Sequence, residues 1–119
     1  MITFNNIEEV NKLIKDGVLN VNDDIEIAFD GFDIKADIKC RNIYSEGYLR
    51  DLSAHDISAH DISVNNISAN NILANDISYY AVCFAYKNIT CKSIKGRRDN
   101  SKHFSLDGKV TINGKVEKK

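Results

Sequence analysis

The amino-acid sequence predicts an all-β fold in which the chain turns a corner about every fifth residue. Three observations carry this reading. A five-residue period runs through the middle of the chain, and its large aliphatics fit neither a helix nor a flat strand. Asp-Gly and Asn-Gly pairs also punctuate short apolar runs, in a chain of 119 residues that contains no proline. That length fits one domain spanning residues 1–119.

From the N-terminus, the first element is a helix over residues 6–16. Ile7, Val10, Leu13 and Ile14 share one helical face, Asn6 with Glu9 matches a capping box, and Gly17 supplies a stop. Beside a stack of β-coils such a helix covers an open end and its unpaired edge. Next, Ile25, Ile27 and Phe29 alternate up to Asp30-Gly31, and Phe32, Ile34, Ala36 and Ile38 alternate after it. That pattern fits either a hairpin or an irregular first coil.

The repeat is clearest over residues 51–85, where the chain reads DLSAH, DISAH, DISVN, NISAN, NILAN, DISYY and AVCFA. Large aliphatics fall at Leu52, Ile57, Ile62, Ile67, Ile72, Ile77 and Val82, and each except the last follows an Asp or Asn. On an α-helix, five-residue steps rotate each aliphatic away from the one before. On a flat strand, odd spacing sends successive aliphatics to opposite faces. A corner in every pentad removes the contradiction. Each unit then points its aliphatic inward, and the Asp or Asn side chain bonds the backbone at the turn. Looser units extend the pattern: Asp37-Ile38, Asn42-Ile43 and Gly47-Tyr48 before it, Asn88-Ile89 and Ser93-Ile94 after it. The step from Tyr48 to Leu52 is one residue short and that from Val82 to Ile89 two long, which predicts distorted corners.

In these Asx-aliphatic pairs the chain resembles the pentapeptide-repeat family, closely over about thirty residues from Asp51. The resemblance implies a right-handed, four-sided β-helix, here with a short N-terminal capping helix. That family places a small residue two before the central aliphatic. This chain has Arg50, His55, His60, Asn65, Asn70, Asn75 and Tyr80 there, and its small residues, such as Ala54, Ala69 and Ala74, stand two after the centre. With side chains alternating in and out, those alanines take the second inward position. At the C-terminal end, Asp107-Gly108 and Asn113-Gly114 flank Val110 and Ile112 and predict a short strand pair, with the final residues frayed.

Catalytic and ligand-binding signals are weak against this periodic background. His55 and His60 occupy equivalent places in adjacent units, so they face different directions and read as solvent-facing. Asp56, Asp61 and Asp76 keep strict places in the period, which suits turn hydrogen bonding better than acid–base chemistry. Cys40, Cys83 and Cys91 are odd in number with no CxxC pair, and read as small buried apolar residues. The glycine-rich calcium-binding nonapeptide, a phosphate-binding glycine loop and a nucleophile motif are all missing. The sequence therefore predicts no enzyme, no cofactor and no metal.

Charge is more informative. Residues 1–51 hold 6 basic and 11 acidic side chains, residues 52–91 hold 1 and 3, and residues 92–119 hold 9 and 3, for a net charge of −1. Within the basic C-terminal segment 92–119, Lys92, Lys95, Arg97, Arg98 and Lys102 form a candidate contact patch for nucleic acid or an acidic partner. The leading expectation is a structural or interaction module that binds an unknown protein partner or associates with itself, as a homodimer joined through an end or edge of the coil. Some pentapeptide-repeat proteins imitate DNA and bind type II topoisomerases, so the resemblance implies a DNA-mimic inhibitor as an alternative. A mimic needs a long acidic rod, and the repeat is short with little net charge. Nucleic-acid binding through the basic segment is the third expectation, unaccompanied by an aromatic platform in the sequence. No apolar run is long enough to span a bilayer, and MITFNNIEEV lacks a secretory signal, so a cytoplasmic location without membrane contact is expected.

Overall fold

The structure, a computed structural model, describes residues 1–45 and 50–117. It is a β-solenoid of about five turns, wound from three sheets. The first sheet stacks β1 (Ile2–Phe4), β4 (Ile25–Ile27), β7 (Ile43–Ser45), β10 (Asp61–Val64), β13 (Asp76–Tyr79) and β16 (Ser93–Gly96). The second stacks β5 (Phe32–Asp33), β8 (Leu52–Ser53), β11 (Ile67–Ala69), β14 (Val82–Ala85) and β17 (Lys102–Ser105). The third runs from a hairpin of β2 (Ile14–Lys15) and β3 (Val18–Asn20) through β6 (Asp37–Lys39), β9 (Asp56–Ser58), β12 (Asn71–Leu73) and β15 (Ile89–Cys91). It ends in a second hairpin, β18 (Val110–Ile112) with β19 (Lys115–Val116). Among the described residues, every pairing between coils is parallel and only the two hairpins are antiparallel.

The all-β β-helix expected from the period is present, but its number of sides differs from what the resemblance implies. A four-sided coil of pentads would return after twenty residues and set Leu52 beneath Ile72. Instead Leu52 lies beneath Ile67, Ile57 beneath Ile72, and Ile62 beneath Ile77. Three pentads close one turn. Each turn of the regular region contributes three large aliphatics and three smaller residues to a triangular core, which these side chains fill.

Burial follows that scheme. Leu52, Ile57, Ile62, Ile67, Ile72 and Ile77 are all at most 2% exposed, with Ala54, Val64, Ala69 and Ala74 in the second inward position. Val82 departs from it: it is only half-buried, and Cys83 takes the inward place above Ile67. The corner after Tyr79 holds one residue more than the pentad allows, which shifts the alternation by one. Ile38, Ile43 and Ile89 continue the inward columns, whereas Ile94 is only partly buried. The unit Gly47-Tyr48 lies outside the described residues.

The corner positions explain the departure from the family pattern. Asn65 N–H donates to the Arg50 carbonyl at 2.8 Å and Tyr80 N–H to that of Asn65, while Asn75 N–H donates to His60 and Lys92 N–H to Asn75. The residue two before each aliphatic thus stacks backbone on backbone along a corner and sends its side chain outward. Bulky polar residues fit there because nothing encloses them.

The Asp and Asn residues also stack between coils instead of closing local turns. Asp24 Oδ1 accepts from Asn42 Nδ2 at 3.1 Å, and Asn42 Oδ1 accepts from the backbone of Asp61 at 3.1 Å. On the next corner Asp56 Oδ1 accepts from Asn71 Nδ2, and Asn71 Oδ1 from the Asn88 backbone. Each of these four Asx side chains satisfies a donor one coil further along.

Differences at the N-terminus have a clear cause. Helix α1 spans only Ile7–Asn11, capped by Asn6 with Glu9 reaching back to Asn5 N–H. Residues 14–20 instead form the β2–β3 hairpin, whose Asp16 and Gly17 have φ of 52° and 75°, as a type I′ turn demands. Val10 is fully buried over the first coil, whereas Leu13 is exposed. At Asp30-Gly31 no hairpin forms: β4 and β5 belong to different sheets, so this is the irregular coil. The C-terminal hairpin is present around Asn113-Gly114.

Candidate functional site

The two ends of the solenoid are closed differently, and the open one is the candidate site. The last coil comprises β16, β17 and the β18–β19 hairpin. Residues 107–109 leave β17 and cross to β18, with Gly108 packed so closely that a Cβ would lie 2.0 Å from the Lys87 carbonyl oxygen. Between β17 and the hairpin opens a cleft of about 900 Å³. Phe104, Leu106, Val110 and Val116 supply its apolar wall, and Ser105 and His103 its polar groups.

Alternation along β17 sets the roles of these side chains. Lys102 and Phe104 point out from the sheet, whereas His103 and Ser105 point toward the core. Ser105 continues the inward column Ala69–Ala85, so a hydroxyl stands where the coils below have a methyl. Ser105 is 2% exposed, and its Oγ is the one buried side-chain polar atom without a partner among the described residues. A buried hydroxyl in that state costs about 1–3 kcal/mol unless a donor or acceptor reaches it.

His103 is held from both sides. Its Nδ1 lies 3.2 Å from the Tyr79 hydroxyl, and its Nε2 lies 2.7 Å from Glu117 Oε2. Tyr79 fills the inward place that Val64 fills one coil below, and burial raises its hydroxyl pKa above the ordinary value. Gly96 makes room for this arrangement: a Cβ there would lie 1.7 Å from Ser101 Oγ and 3.1 Å from the Tyr79 ring. The network ties the C-terminal hairpin across part of the open end. Ser101 and His103 both meet the Tyr79 hydroxyl.

The basic residues form a collar around this coil. Lys92 sits at the corner before β16, Lys95 projects from β16 above Ser78, and Lys102 starts β17 above Val82. Arg97 and Arg98 lie on the loop between them. Arg97 Nη2 donates to the Val64 carbonyl, and Arg98 lies 6.0 Å from the centre of the Tyr80 ring. An aromatic group that the periodic reading missed stands beside Lys102. Phe84 packs against Phe104 at 4.9 Å and against Tyr86 at 4.8 Å, because register places Phe84 directly below Phe104. Tyr86 and Phe104 are among the exposed large hydrophobics.

Other candidates stay apart. His55 and His60 are exposed on different corners. Among the described residues, no three His, Cys, Asp or Glu side chains gather as a metal site. Burial pushes the Cys40 and Cys83 thiols up to about 12 and Cys91 to about 11, so none is an activated nucleophile. No helix among the described residues is long and apolar enough to cross a membrane. Comparison of the chain with protein-family models, with curated proteins and with solved structures gives no match in any of the three.

Proposed function

We propose that this protein is a non-enzymatic interaction module of pentapeptide-repeat type that docks a protein partner through its C-terminal coil, a second copy of the chain included. The observation that supports this reading is the unequal closure of the two ends. At the N-terminal end Val10 of α1 is fully buried and Leu13 is 43% exposed, whereas three apolar side chains, Phe104, Leu106 and Val116, remain between 42% and 61% exposed around the C-terminal cleft. A solenoid coil that ends in exposed apolar side chains and strand edges gains by association. Light scattering at micromolar concentration, with affinity capture from the native host, tests it. A dimer mass that Leu106→Glu converts to monomer identifies self-association. A monomer that captures a partner, and loses it in the same variant, identifies a different protein. A monomer that captures nothing refutes the reading.

Nucleic acid is the second reading, favoured by Phe84, Tyr86 and Phe104 beside Lys102. Bases stack on such aromatics, and binding would weaken steeply with salt. A DNA-mimic inhibitor of a type II topoisomerase fits less well, because the acidic surface belongs to the first coils only and the last coil is basic.

A further inference from the structure

We propose that the cleft between β17 and the β18–β19 hairpin receives an extended acidic peptide segment, which pairs with the outer edge of β17 and continues the solenoid by one strand. This rests on the docking reading above and specifies the partner's chemistry. Three independent features converge on it. β17 is the last strand of its sheet, and among the described residues no strand pairs with its outer edge. Backbone donors and acceptors along that edge match an extended chain and little else. Beside the edge lies the apolar-walled cleft, lined in part by Ser105, whose Oγ is buried and unpartnered. Lys102 and Lys109 also line the cleft, in the segment where basic residues outnumber acidic ones 9 to 3.

Register dictates what the added strand carries. Its inward side chains would stand above His103 and Ser105, and its outward ones above Lys102 and Phe104. An aliphatic above His103 enters the cleft, a hydroxyl above Ser105 meets its Oγ, and carboxylates outside face the lysines. Two copies meeting by their C-terminal ends would instead oppose two basic collars, so charge selects an acidic segment over that arrangement.

The probe is a fluorescently labelled, acetylated heptapeptide of sequence DDIESDD, followed by anisotropy against the full chain at low salt. We expect saturable binding that weakens as salt rises, and a loss of about ten-fold or more in Lys102→Glu. Ser105→Ala gives the sharper signature. It should raise the stability of the free protein, because a methyl matches the column below, while weakening the peptide several-fold; stability rising with unchanged binding overturns the role of the hydroxyl and with it the proposed register. Methylating alternate backbone amides of the peptide should abolish binding. Equal binding of the methylated peptide or of KKIKSKK overturns the proposal, as does tighter binding of a deoxythymidine oligonucleotide, which would assign the surface to nucleic acid. If docking at this end is found by scattering or capture while DDIESDD does not bind, the docking reading stands and strand pairing falls.

Discussion

At the scale of single residues, the solenoid is held by columns rather than by local turns, and each column makes a distinct prediction. Ile67 is 1% exposed between Leu52 below and Cys83 above. Ile67→Ala should cost about 2–5 kcal/mol in chemical denaturation, as a truncation that leaves a cavity. Unchanged stability would contradict its inward place. Where Asp61 stacks beneath Asp76, the Asx column sets one carboxylate over another, whereas Asp51 is bonded by the amides of Asn65 and Asn66. Asp76→Asn would supply an amide N–H toward Asp61 and still accept from Ser93 Oγ, so it should stabilise by about 0.5–1 kcal/mol. The cysteines give a pH-dependent case. Their folded pKa values lie above the ordinary 9, so the unfolded chain loses its thiol protons first, and stability falls as pH rises above about 9. At pH 8 a thiol reagent should accordingly modify Cys83 and Cys91 far more slowly in native than in unfolded protein.

At the scale of elements, both ends of the eight-stranded sheet are finished by the same device, a two-residue type I′ hairpin at Asp16-Gly17 and at Asn113-Gly114. All four residues have positive φ, between 52° and 80°. Gly17→Ala and Gly114→Ala should each cost about 1 kcal/mol through that backbone conformation, measured as a shift in denaturation midpoint. Only one of these hairpins was legible in the sequence, and the reason is physical. A left-handed glycine serves a helix C-cap and a type I′ turn equally well. The apolar residues Val10, Leu13 and Ile14 therefore read as one helical face running into Gly17. At Asn113-Gly114 no helical spacing competed. The inward columns were legible because burial repeats with the pentad, while Val82 was misplaced because two adjacent apolar residues, Val82 and Cys83, leave the phase undetermined. The candidate site was only partly visible: the lysines and arginines stand out as a run, but Ser105, Leu106 and Val116 acquire meaning only when the chain closes its last coil.

At the scale of the whole molecule, a solenoid keeps its sequence order in space, so the charge gradient along the chain becomes a gradient along the stack. The acidic residues of 1–51 belong to the capped end and the basic residues of 92–119 to the open one. In the proposed interaction module, that polarity gives the docking end its direction. Which side chains share a face depends on the coil closing every three pentads, because a different number of sides would regroup every face. The period alone fixes how often the chain turns, and the angle of each turn is set by how the inward side chains fill the section. A cross-linking pair tests the geometry directly. Ser53 and Ser68 project outward from adjacent strands in register. Parallel neighbours lie about 4.8 Å apart, within the Cα range a disulfide accepts. In a four-sided coil the residue above Ser53 would be Leu73, which here belongs to another sheet, above Ser58. Under mild oxidation, Ser53→Cys with Ser68→Cys should form an intramolecular disulfide that peptide mapping recovers in high yield. Ser53→Cys with Leu73→Cys should remain reduced, since the two side chains leave the solenoid from different faces. The opposite pattern would restore the four-sided winding and move every outward contact, the collar of Lys95, Arg98 and Lys102 included, to a different face.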